Sequence, residues 1–164
     1  MELVKATSSS DWASASELLS RVVNRLALLE KPLWTLEQVS TQGLKEAYRL
    51  EELHFLTLNN QRIGLAFLQE SDPMFWPEIT NNDSLFVHKL ALDPALQGKG
   101  NGRMAISKVL QEAIARGLNW LRLDCDDRPE LHRFYQKCGF AFVDLKIMGA
   151  FNVARYQRLT SMEK

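Results

Sequence analysis

The chain has 164 residues, 46% of them apolar, and its 20 Lys and Arg balance 20 Asp and Glu. That length and apolar content suit one domain, 1–164, with a sizeable core, and a balanced charge with no basic stripe argues against a nucleic-acid partner. The two cysteines and three scattered histidines give neither a disulfide framework nor metal-ligand spacing; with no signal-peptide pattern in MELVKATSSSDW and no run near the ~18 apolar residues of a membrane span, the expectation is a cytoplasmic protein with no metal and no membrane partner.

Met1–Ala6 reads as a short strand. Ser8, Ser9 and Ser10 offer N-caps for a helix from Asp11 to Glu30. Trp12, Ala15, Leu18, Leu19, Val22, Val23, Leu26 and Leu29 recur along it at helical spacing. Pro32 marks its end, because a proline disfavours helical geometry in the residue before it. Trp34–Tyr48 reads as a second, less regular helix interrupted by Gly43. Glu52–Leu58 and Arg62–Glu70 are strands around Asn59-Asn60-Gln61, and asparagine tolerates the positive φ of a tight hairpin turn. Ser71–Asn82, SDPMFWPEITNN, is a long loop with two prolines and two large aromatics. Loops of that length are often functional.

Leu85–Leu92 is a mostly apolar run that reads as a buried strand, stopped by Asp93-Pro94. Gln97-Gly98-Lys99-Gly100-Asn101-Gly102 follows, and then an amphipathic helix, Arg103–Arg116. Met104, Ile106, Val109, Leu110, Ala113 and Ile114 form its apolar face, and Gly117 closes it. A strand, a glycine-rich turn and a helix start together make an anion site. The first N–H groups of a helix lack partners within it, and the peptide dipoles add positive charge there. Glycines let the backbone approach a phosphate closely. The ATP-type loop requires Lys-Ser or Lys-Thr after the glycines, and none is present. The dinucleotide fingerprint fails too, because Gly98, Gly100 and Gly102 are spaced G-x-G-x-G. The pattern that fits is Q-x-x-G-x-G, at Gln97, Gly100 and Gly102.

Trp120–Asp124 is the next strand. Strand, helix and strand in succession imply a parallel pair with a right-handed crossover. Glu130–Lys137 is a short helix with Cys138-Gly139 at its end. Phe140–Met148 and Asn152–Leu159 are the last strands. The class is therefore α/β in the mixed, α+β sense: antiparallel strands, one strand–helix–strand unit, then strands again.

The glycine loop is followed, about 35 residues after Gly100, by Y-x-x-x-G-F at Tyr135, Gly139 and Phe140. Leu121-Arg122-Leu123-Asp124-Cys125 and Leu131–Phe140 supply the strand and helix that carry this ending. In this order the two motifs resemble the GNAT superfamily of N-acetyltransferases, over about Leu50–Phe142. The resemblance implies a GNAT-like domain with a central mixed, mostly antiparallel sheet, a splayed parallel strand pair and helices on both faces. It also implies acetyl-CoA as coenzyme and direct transfer of its acetyl group to a primary amine of a small molecule or peptide. The first helices would wall the acceptor pocket.

By the same resemblance, Leu90, Ala91 and Leu92 would pair through their main chain with the pantetheine arm, as in strand addition. Gln97 opens the loop whose N–H groups, from Gly98 through Lys99, Gly100 and Asn101 to Gly102, would hold the pyrophosphate, with Lys99 adding a point charge. Tyr135 would protonate or hydrogen-bond the departing thiolate. Arg128 stands seven residues before Tyr135, where relatives often carry Asn bonded to the pantetheine, so that contact is either lost here or remade by the guanidinium.

The general base stays open at this level. Relatives often use a Glu near the central strand, where this chain has His88 and Lys89. Imidazole changes charge near neutral pH, so His88 is the first candidate, although a lone strand histidine also serves packing. Glu70 and Glu78 are alternatives. Cys125 lacks the His and Asn partners of a covalent nucleophile. Asp72, Phe75, Trp76 and Glu78 would suit a cationic acceptor. A second reading is an acyl-CoA-binding sensor or interaction module with little catalysis. A phosphotransferase is disfavoured by the missing Lys-Ser/Thr pair. The strand-rich C-terminus would allow a homodimer.

Overall fold

The computed structural model describes residues 1–162. Its helices are α1 (Asp11–Leu28), α2 (Thr41–Ala47), α3 (Asn101–Ala115) and α4 (Pro129–Lys137). Its strands are β1 (Glu2–Lys5), β2 (Leu53–Leu58), β3 (Gln61–Gln69), β4 (Ser84–Leu92), β5 (Trp120–Asp126), β6 (Ala141–Ile147) and β7 (Asn152–Leu159). The seven strands run in the order β1-β2-β3-β4-β5-β7-β6. β4 and β5 are parallel, whereas β1–β2, β2–β3, β5–β7 and β6–β7 are antiparallel. The mixed class and the parallel pair therefore match the sequence reading. No helix among the described residues is long and apolar enough to cross a membrane.

The chain groups into two compact units, Met1–Phe67 with Lys89–Ala105, and Leu68–His88 with Ile106 onward.

In the first unit, α1 buries Trp12, Ala15, Leu18, Leu19, Val22 and Val23 in one cluster with Leu44, Leu53, Phe55, Leu65, Phe67 and Ala91. Serine side chains do not cap it as expected. Ser10 makes no side-chain cap bond. Asp11 Oδ2 instead accepts the N–H groups of Thr7 and Ser8, at 3.0 and 3.1 Å. Its Oδ1 takes a 2.7 Å bond from Arg62. Burial alone would raise the Asp11 carboxyl, but these bonds outweigh it and hold the group below its ordinary value. The helix ends before Pro32: Glu30 takes a left-handed φ of 58°, and Lys31 N–H reaches back to Leu26 O at 2.9 Å. That is a left-handed helix ending of the kind usually given to glycine or asparagine.

α2 is shorter than Trp34–Tyr48, because residues 35–40 form turns before it. Ser40 caps it by accepting Gly43 N–H at 3.0 Å. Gly43 is a site of close approach: a Cβ there would lie 2.3 Å from Glu37 O. The β2–β3 hairpin turns at Asn59 and Asn60, with φ of 51° and 62°. Positive φ at both central residues matches the right-handed twist of the flanking strands.

In the second unit, β5 pairs with β4 from Ser84↔Trp120 to Val87↔Leu123. It pairs with β7 along its whole length, placing Asp124 opposite Arg155 and Arg122 opposite Gln157. Among the described residues β6 pairs with β7 alone, and it carries an irregularity at Val143, between Phe142 and Asp144. Leu85, Val87, Leu121 and Leu123 are buried, as are Ile106, Val109, Leu110 and Ala113 of α3. The 71–82 loop is not a solvated strap. Trp76 within it is 1% exposed, and Arg155 bonds the loop at Phe75 O (3.0 Å) and at Glu78 Oε1 (2.5 Å).

Candidate functional site

The glycine loop lies in the first unit. Asp93 caps the turn after β4, its Oδ1 accepting Ala95 N–H at 3.0 Å while Oδ2 meets Arg21 at 3.1 Å. Gln97 Nε2 donates to Leu92 O, and Asn101 Nδ2 donates to Leu96 O, each at 3.1 Å. These two side chains fold the loop against the end of β4, so Gln97 and Asn101 shape it. Gly98 and Gly100 take φ of 75° and 79°, immediately before α3 begins at Asn101. Among the described residues, no atom beyond the adjoining residues lies within 4 Å of a Cβ built at either. The glycines thus serve backbone conformation and leave open space at a helix start, which is the cradle a phosphate needs. Lys99 is exposed between them, and Gly102 lies in the first turn of α3.

Leu90 is half-buried on β4, whereas Ala91 and Leu92 are buried. Gly64 lets this segment approach β3: a Cβ there would lie 2.6 Å from Ala91 O and 2.8 Å from Leu92 Cδ2. Lys89 carries a left-handed φ of 49° inside the strand. A non-glycine residue in that conformation stores about 1–3 kcal/mol of strain. Its ammonium stands 5.1 Å from the Trp34 ring centre and 5.9 Å from that of Tyr48, contacts that offset part of the cost.

The second unit holds Tyr135, His88 and Arg128. Arg128 is the N-cap residue of α4, with Pro129 at the first helical position. Its Nε donates to Asp126 Oδ2 at 2.7 Å. Tyr135, on α4, is buried against the rings of Phe134, Phe140 and Tyr156. Burial holds its phenol well above the ordinary value, helped by Cys125, Cys138 and the Asp124 charge. The hydroxyl therefore keeps its proton at neutral pH. Burial, with Asp124, Asp126 and Asp127 nearby, also pushes the Cys125 thiol up to about 12. A thiol held there is protonated and a poor nucleophile.

His88 follows the last β4–β5 pair. Its Nε2 is 3.4 Å from Asp72 Oδ2. Asp124, the next position along β5 after Leu123, completes a group of three whose ligating atoms lie within 4.8 Å of one another. Asp72 is 5% exposed, and its Oδ1 accepts Phe75 N–H at 3.1 Å. It also lines a cavity of about 300 Å³ with Glu70, Pro77, Asp83, Ser84 and Phe86. Glu70 and Glu78, the other base candidates, are engaged by Arg116 at 3.1 Å and Arg155 at 2.5 Å.

Sequence reasoning marked Asp72 only as part of an acidic wall and did not mark Asp124 at all. The available signal was the alternation in WLRLDCD, which puts Arg122 and Asp124 on one face of a strand expected to be buried. It also missed His132, whose Nδ1 bonds Tyr156 Oη while Nε2 meets Asp127 Oδ1 at 2.7 Å. No short-range pattern announces that chain, because its members are brought together by α4 and β7.

Comparison with known proteins gives the same assignment. A family model described as the acetyltransferase (GNAT) family matches residues 23–140. An uncharacterised N-acetyltransferase, YesJ, of Bacillus subtilis (strain 168) is 31% identical over 86 residues, which are 49% of this chain and 45% of the relative. The match thus spans less than half the length of that curated relative. A GNAT-family acetyltransferase from Listeria monocytogenes 4b F2365 superposes with a TM-score of 0.76 at 17% identity, over 96% of this chain and 93% of the other. The aminoglycoside acetyltransferase AAC(6')-Ib, solved with coenzyme A and kanamycin, superposes with a TM-score of 0.74 at 20% identity, over 96% and 94% of the two chains. At such identities the structural likeness carries the fold, and the family-model match carries the kinship: the chain belongs to the acetyltransferase (GNAT) family.

Proposed function

We propose that residues 1–164 act as one acetyl-CoA-dependent N-acetyltransferase domain for a primary amine. The observation that carries this reading is the Gln97–Gly102 loop, with two left-handed glycines opening onto empty space at the start of a helix of 15 residues. Acetyl-CoA, when bound, supplies the acetyl group as a thioester and leaves as a thiolate. The N–H groups from Gly98 to Gly102 hold the pyrophosphate, Lys99 adds positive charge, and the main chain of Leu90, Ala91 and Leu92 takes the pantetheine amides. Gln97 and Asn101 hold the loop in shape, and Arg128 contributes from the N-terminus of α4. Tyr135, with its proton retained, donates to the departing sulfur. His88 takes a proton from the incoming amine.

A small-molecule acceptor is favoured over a peptide. The structural relative AAC(6')-Ib was solved with kanamycin, and the cavity beside Asp72 is of small-molecule scale. The test is a panel of polyamines, aminoglycosides, amino acids and short peptides, with acetyl-CoA and detection of released thiol. Amine-dependent thiol release supports the proposal. Acetyl-CoA binding with no release above background on any amine replaces it with a coenzyme-binding module.

A further inference from the structure

We infer that Asp72, His88 and Asp124 form a receiving site for a primary aliphatic ammonium ion, in which the two carboxylates hold the cation and His88 Nε2 takes one of its protons. The inference deepens the acetyltransferase reading and rests on it.

The geometry supports this in three ways. First, an imidazole nitrogen and two carboxylates converge within 4.8 Å of one another, a spacing that one ammonium group can bridge. Second, Asp72 Oδ2 is buried, points at His88 Nε2 from 3.4 Å, and accepts no hydrogen bond among the described residues. Buried acceptors are nearly always satisfied, so this oxygen calls for a donor, and an ammonium has three. Third, Asp72 belongs both to the cluster and to the cavity wall, where Glu70 and Asp83 add carboxylates. Those two face Arg116 and Arg122, whereas Asp72 is the buried carboxylate of that wall and turns its unbonded Oδ2 toward His88.

The neighbouring charges fit a cation. Arg122 points to Ser84 and Asp83, and Arg155 to Asp144, Glu78 and Phe75 O. Both guanidiniums stack on Trp76, their central carbons 5.6 and 4.5 Å from a ring centre. Lys89, next to His88, carries its ammonium to Trp34 and Tyr48.

The chemistry follows from charge balance. A primary aliphatic amine arrives protonated at neutral pH and has no lone pair for attack. One N–H bond breaks and an Nε2–H bond forms on His88, giving a neutral amine and an imidazolium. The net charge of the assembly is unchanged, and the imidazolium lies beside Asp72 and Asp124, which stabilise it. Asp72 and Asp124 are thus positioning residues, and His88 is the catalytic one.

The test uses the whole protein and spermidine, which carries a primary ammonium at each end. Calorimetry without coenzyme measures spermidine binding to the parent, to Asp72→Asn, to Asp124→Asn and to the double variant. Asn keeps an Oδ1 to accept Phe75 N–H, so the loop should fold, and Asp124→Asn tests the site independently of that loop. Each single substitution should weaken binding by about 10-fold and the double by more, with coenzyme affinity unchanged. In turnover, the Asn variants should raise KM for the amine with a smaller effect on kcat. His88→Gln should lower kcat and remove the acidic limb of the pH profile. Undetectable spermidine binding by the parent, or equal binding by parent and double variant, overturns the ammonium site. Thiol release by the parent in the amine panel reports on the acetyltransferase reading separately.

Discussion

Arg155 and Asp144 face each other across the β6–β7 ladder and meet in two parallel bonds, Nε to Oδ1 at 2.7 Å and Nη2 to Oδ2 at 2.8 Å. The paired fork is the strong geometry for guanidinium and carboxylate. The Arg155 bonds hold the Asp144 carboxyl below its ordinary value of 3.8. A depressed folded-state value contributes stability above the unfolded value, and that contribution is lost as pH falls through the folded one. Asp144→Asn should therefore be less stable than the parent at about pH 6, and the gap should narrow toward about pH 3. Urea unfolding at the two pH values checks this. Because Asp144 is nearly half exposed, the gap should be modest. A gap that does not change with pH would assign the pair a packing role.

Substitutions at Gly64 and Gly100 should show their larger losses in different measurements. Gly64→Ala drives a methyl into the Ala91 carbonyl at 2.6 Å, and overpacking of this kind costs about 1–3 kcal/mol. Gly100→Ala meets no neighbour, so its cost is the left-handed backbone alone, about 1–2 kcal/mol. Thermal unfolding should therefore rank Gly64→Ala as the more damaged. Coenzyme calorimetry should show the larger loss at the loop, with Gly100→Val weakening binding at least 10-fold in a folded protein. Unchanged affinity in that variant moves the pyrophosphate elsewhere.

Tyr135→Phe removes the hydroxyl and keeps the ring among Phe134, Phe140 and Tyr156. Turnover should fall about 10- to 100-fold, equivalent to about 1.4–2.7 kcal/mol of transition-state stabilisation. Coenzyme affinity should change little. The high phenol value set by burial argues for the low end, since a weak acid helps an already stable thiolate only modestly. Parent-like turnover in the Phe variant makes Tyr135 a packing residue.

Cys125→Ala should retain turnover within about 3-fold, because direct transfer needs no covalent step and the thiol is held protonated. Alkylation of the folded parent at about pH 8 should leave Cys125 unmodified, as mass spectrometry of its peptide would show. An acetylated Cys125 peptide trapped during turnover would require a two-step mechanism instead.

Elements with local causes were legible in the chain. The Asn59-Asn60 turn, the glycine loop before α3 and the helical spacing in α1 each depend on neighbours a few residues away, and each stands where the pattern put it. Elements with distant causes were not. Gly43 read as a helix interruption because its reason is the Glu37 carbonyl in the preceding turn. The packing of the 71–82 loop was not legible, because its anchor, Arg155, comes some 80 residues later. The candidate site divides the same way: the loop and Tyr135 carry local motifs, whereas Asp72 and Asp124 meet His88 through the sheet and a folded loop.

Lys89, left-handed within β4, also bears on how that strand finds its partners. A strand of regular pleat slips by two residues at little conformational cost, because every residue is equivalent to the next but one. β4 lacks that freedom. A slip by two would place the left-handed link on Val87 or Ala91, and a β-branched valine resists that conformation far more than lysine does. The ammonium would also leave the Trp34 and Tyr48 rings. The strained residue thus opposes the slip that would bring Val87 to the left-handed link, and its ring contacts oppose a slip in either direction.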